Sequence, residues 1–135
     1  MTDREGWSGI ERWLVLAIAA HSAAIGLGAL VATEWGLRFG GFGTASPLFF
    51  PRQVGIFHVV VAVAYVVEHL RYRGVSIVLT TKAMAVAFLT GTMLLDSVPW
   101  IVPFSALADA LMGIVVAAVH LRLRAAGGGS SRVGA

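Results

Sequence analysis

An all-α membrane protein, a bundle of four transmembrane helices, is the fold class that three observations predict. The composition is 58% hydrophobic and only 13% charged, where a soluble domain carries roughly 25% charged residues, and the mean hydropathy is +0.84. Four continuous apolar runs, at residues 13–32, 54–70, 75–95 and 100–121, each approach the roughly 20 residues that cross a bilayer as a helix. Four such spans take about 80 residues, so a chain of 135 has room left for short connections and tails and none for a soluble domain. Runs such as VVVAVAYVV show no polar alternation, which argues against an outer-membrane barrel of period-two strands. The chain divides into a tail at 1–12, one transmembrane domain at 13–124 and a Gly-rich tail at 125–135 expected to be flexible.

The N-terminal tail carries Arg4 and Arg12. Its acids Asp3, Glu5 and Glu11, and the length of the apolar run behind it, argue against a cleaved signal peptide. In the first span Ala20, Ala24, Gly28 and Ala32 recur every four residues, the spacing that lets helix backbones approach closely in lipid. His21 lies beside that stripe. The following loop, GLRFGGFGTASPLFFPRQ, combines turn-permitting glycines with four phenylalanines suited to the membrane interface, as a lid over the bundle would. It ends in Arg52, placed to hold an anionic headgroup or carboxylate, or to act as an interfacial anchor.

The second span carries His58, Tyr65 and His69 at helical spacing, with Glu68 near its end. The third contains Lys82, at a depth where Glu68 is a candidate partner, and a second small stripe of Ala83, Ala87 and Gly91. The fourth contains Asp109 beside Ala106, Ala110, Gly113 and Ala117, which turns the carboxylate toward the bundle. Charged groups at mid-membrane cost at least ~2.5–3.5 kcal/mol, so Lys82 and Asp109 are the first functional suspects. Lys82, His58 and His21 are the candidate donors to Asp109, and the depths favour one of the histidines. The polar interior and ligand-binding set read from the sequence is therefore His21, Arg52, His58, Tyr65, Glu68, Lys82 and Asp109.

Seven arginines (4, 12, 71, 73, 122, 124 and 132) fall on one side of the four spans and two (38 and 52) on the other, which places both termini in the cytoplasm. Trp35 and Trp100 then mark the outer interface, and Trp13 and Tyr72 the inner one. Arginines spread over helix ends form no nucleic-acid patch, so nucleic acid is not an expected partner. Spans two and four both begin after a PxxxP segment (Pro47 and Pro51, Pro99 and Pro103) and leave through HLRxR. Two tandem helical hairpins related by duplication, or interface chemistry common to both ends, account for this equally.

With no cysteine, thiolate metal sites and iron–sulfur clusters are excluded. His69 and His120 are the level imidazole pair, so haem would have to sit there; otherwise no cofactor or metal is expected. No HExxH, GxSxG or paired-carboxylate signature points to an enzyme.

The four short spans, the Gly- and Phe-rich outer loop, FFPRQVGIFH and the terminal Arg clusters resemble the small bacterial inner-membrane proteins grouped as DoxX-like. That resemblance implies an accessory role in quinone-linked or sulfur-compound oxidation. The leading expectation is a non-catalytic inner-membrane subunit or binder of a small apolar ligand, lipid or quinone, with a homo-oligomer or a larger complex as its setting. The alternative is a proton-coupled transporter acting as an oligomer, weakened by the lack of an acidic residue within the first span.

Overall fold

The computed structural model describes residues 3–128, all helix and loop. The chain forms α1 (Asp3–Val31), α2 (Thr33–Phe39), α3 (Phe49–Tyr72), α4 (Ser76–Leu95) and α5 (Ile101–Gly128). Four of these, α1, α3, α4 and α5, are long and apolar enough to cross a membrane, and the protein is a multi-pass integral membrane protein. Residues 3–12 of the N-terminal tail are helical and form the first turns of α1. The Gly-rich tail from residue 129 onward lies outside the described residues.

Local chemistry sets the helix ends. Pro51 and Pro103 each stand third in their helix, where no intrahelical N–H partner is required. The beginnings of α3 and α5 therefore match, but their ends do not. Arg73 ends α3 in the left-handed conformation, φ 55°, whereas α5 runs on through its HLRLR segment to Gly128. Between α1 and α2 the helix kinks at Ala32, and the Thr33 hydroxyl donates to Ala29 O at 2.7 Å, satisfying a carbonyl freed by the kink.

Helix α1 is the centre of the packing. It lies along α3 over most of its length and also against α5, while α4 packs on α5. Consecutive spans thus form two hairpins, α1 with α3 and α4 with α5, although α3 and α4 touch sparsely despite being joined by only three residues. The buried core of Val15, Ile18, Ala19, Tyr65, Val75, Val78 and Val116 sits in the half nearest the α3–α4 turn. Side chains such as Leu27, Val63, Phe88, Leu107 and Leu121 point outward. In a bilayer that apolar exterior needs no protein partner, because lipid tails solvate it.

The packed faces differ from two of the three expected stripes. Ala20, Ala24, Gly28 and Ala32 are exposed, and so are Ala83 and Ala87. The face of α1 that is buried carries Glu11, Val15, Ile18, Ala19, Ser22 and Gly26. The reason is backbone approach: a Cβ on Gly26 would stand 2.6 Å from Gly55 O, and one on Gly55 would stand 2.8 Å from Gly26 O. The α1–α3 crossing is built on this glycine pair, which fixes the rotation of α1. On α5 the expected stripe does face inward, with Ala106 buried and Ala110, Gly113 and Ala117 half-buried.

At the other end of the bundle, the end of α2 and the loop after it are tied to the α4–α5 turn. The Trp100 indole N–H donates to Phe39 O at 3.0 Å, and the Trp100 and Phe39 rings meet edge to face at 5.4 Å. Gly41, at φ 86°, turns against Pro99, where a side chain would be strained.

Candidate ligand cleft

Where α3 and α4 fail to seal, a cleft of about 130 Å³ reaches the interior. All four spans line it: Ser22 from α1, Phe57, His58, Val61 and Tyr65 from α3, Thr81, Lys82 and Ala85 from α4, and Asp109 from α5. Its polar centre is an ion pair, Lys82 Nζ to Asp109 Oδ1 at 2.5 Å. The side chains of Lys82 and Asp109 are 8% and 19% exposed, and Gly113 leaves room for the lysine stem, since a Cβ there would touch Lys82 Cβ at 3.4 Å.

The preferred histidine donors to Asp109 are replaced by Lys82. The Lys82 Cα stands about 9 Å from the start of α4 and that of Asp109 about 12 Å from the opposite end of α5. A lysine stem of about 6 Å closes the remaining height. In a low-dielectric interior a formal cation holds a carboxylate far better than a neutral imidazole does.

Four of the seven residues expected from the sequence come together here: His58, Tyr65, Lys82 and Asp109. Tyr65 is almost fully buried and His58 half-buried. Three do not join them. His21 lies on the exposed side of α1 because Gly26 and Ser22 take the packed side. Arg52 is exposed at the start of α3. Glu68, expected beside Lys82, instead accepts the N–H groups of Ser76 and Ile77 at 2.9 and 2.8 Å. Those are orphan donors at the N-terminus of α4, where a carboxylate also complements the helix dipole.

A second buried pair has no counterpart among the sequence expectations. Glu11, 4% exposed, meets His120 Nδ1 at 2.7 Å and joins the first and last spans. Its signal is the spacing of 11, 15, 18 and 22, one face of a helix that continues N-terminal to the apolar run. His69 is buried, and its Nδ1 lies 3.3 Å from Gly74 O. Both imidazoles of the level pair are thus engaged through Nδ1, and no cluster of three or more metal-ligating side chains occurs among the described residues.

Compared with family models, with curated proteins and with solved structures, the chain matches none of them.

Proposed function

We propose that this is a non-catalytic bundle of the bacterial inner membrane, with cytoplasmic termini, that binds the polar head of a small apolar ligand, quinone or lipid, between α3 and α4. The observation that carries the reading is the cleft itself. An apolar wall of Phe57, Val61 and Ala85 leads to His58, Tyr65, Thr81 and the Lys82–Asp109 pair, the combination of apolar lining and few convergent polar groups that marks ligand sites. Its volume of about 130 Å³ is close to the ~150 Å³ that accommodates one benzene ring. A ring-sized head would fit, with its apolar tail left in the seam between the helices. The resemblance to DoxX-like proteins supports an accessory, quinone-linked setting for such a binder.

The test is to purify the protein from native membranes and quantify bound quinones and lipids by mass spectrometry, beside an Ala85→Phe variant that fills the cleft while keeping the ion pair. Enrichment of one apolar ligand in the wild type and its loss in Ala85→Phe are expected. Equal retention in both proteins would place the ligand elsewhere and remove the reading.

A proton-coupled transporter is the second reading, favoured by one observation: Glu11 supplies a buried acid within α1, the feature whose absence weighed against transport. Proton flux through reconstituted vesicles that Glu11→Gln abolishes would put this reading first.

A further inference from the structure

A second cavity, of about 200 Å³, opens at the end of the bundle where α3 turns into α4. Arg12 from α1 and His69, Leu70 and Arg73 from the end of α3 line it. We propose that this cavity is a binding site for a phosphate group, presented by the headgroup of an anionic phospholipid or as the free ion.

Three features of the structure build it. First, two guanidinium groups from different helices border one cavity, and guanidinium is the side chain whose donor fork matches phosphate oxygens. The left-handed turn at Arg73, whose N–H donates to His69 O at 3.1 Å, ends α3 at that point, and the residue it places there borders the same hollow as Arg12. Second, the two acids adjacent in sequence to the lining residues are engaged elsewhere. Glu11 is held by His120 and Glu68 by the first N–H groups of α4, and neither Arg12 nor Arg73 forms an ion pair among the described residues. Among the described residues the two guanidinium groups therefore keep their donor forks for a ligand. Third, His69 forms a buried wall of the cavity and is held there by its Nδ1–H, which donates to Gly74 O at 3.3 Å. A pocket of basic residues at the membrane surface is the form that headgroup recognition takes. The site is separate from the cleft of the proposed function and shares none of its residues.

The experiment measures phosphatidylglycerol bound to the purified protein in non-ionic detergent, by native mass spectrometry over a lipid titration, with diacylglycerol, which lacks the phosphate, as the neutral comparison. Arg12→Gln/Arg73→Gln should weaken phosphatidylglycerol binding at least ten-fold, and Arg12→Lys/Arg73→Lys should restore part of it. Arg71→Gln/Arg124→Gln, which removes the same charge from the same end outside the cavity, should leave it within two-fold. Competition by inorganic phosphate at millimolar concentration would assign the site to the free ion. Binding that phosphate leaves untouched would assign it to the headgroup. Equal losses in the two double Gln variants, or equal binding of the two lipids by the wild type, would overturn the proposal, because either result reduces the cavity to general surface charge. Thermal unfolding of each variant identifies any protein that has lost its fold, and the Lys pair then carries the comparison.

Discussion

Breaking the Lys82–Asp109 pair one member at a time should be far more damaging than removing both. At 2.5 Å and an effective dielectric constant of about 20, the gross attraction is about 6–7 kcal/mol. Desolvation of the two ions, several kcal/mol each, offsets most of that, so the pair as a whole contributes little. A single substitution leaves the desolvation in place without the attraction. Lys82→Met and Asp109→Asn should therefore each cost about 3–5 kcal/mol. The double variant should lose only about 0–2 kcal/mol, because no buried charge remains to be compensated. The coupling energy of the cycle then comes to several kcal/mol, well above the 0.5–3 kcal/mol range of ordinary neighbours. Unfolding in mixed micelles, followed by circular dichroism as the fraction of dodecyl sulfate rises, measures all four proteins. Additive losses in the double variant would refute the reasoning, since they would mean that the two side chains do not neutralise each other in the folded protein.

Gly26→Ala and Gly55→Ala should each destabilise by about 1–3 kcal/mol, the cost of overpacking, because the added carbon meets backbone oxygen at 2.6 and 2.8 Å. Gly28→Ala, with nothing within 4 Å, should be neutral or stabilise by up to about 1 kcal/mol through helix propensity. The same unfolding assay compares them, and an equal effect at all three positions would contradict the crossing. For orientation, a reporter active only in the periplasm should be silent when fused after Arg124 and active when fused in the loop after Phe39. The reverse pattern would turn the bundle over in the membrane.

The spans were legible because crossing a bilayer demands an apolar run of fixed length, and nothing else in a chain of this size produces four of them. Helix rotation was harder to read. On α1 the stripe through Ala20 and Ala24 and the face through Ser22 and Gly26 are two residues apart, about 200° around the helix. Both are rich in small side chains, so local spacing could not choose between them. The choice came from Gly55 on another helix, a tertiary fact, and it carried His21 outward with it. Lys82 and Asp109 stood out because charge in a span is costly, yet their partnership was obscured by comparing Cα depths, which ignores the reach of the lysine stem. Glu11 was hidden by the assumption that the helix begins where the hydrophobicity does.

The placement of the two ion pairs bears on how the chain inserts into the membrane. Lys82 and Asp109 belong to the same hairpin, α4 with α5, so that hairpin carries the counter-charge of its buried lysine within itself. Glu11 and His120 lie at opposite ends of the chain. Their contact can form only when the last helix has arrived beside the first. An incomplete chain lacking α5 would present an unanswered carboxylate on α1 and an unanswered ammonium on α4. Both are the kind of exposed intramembrane charge by which an unfinished bundle can be told from a finished one.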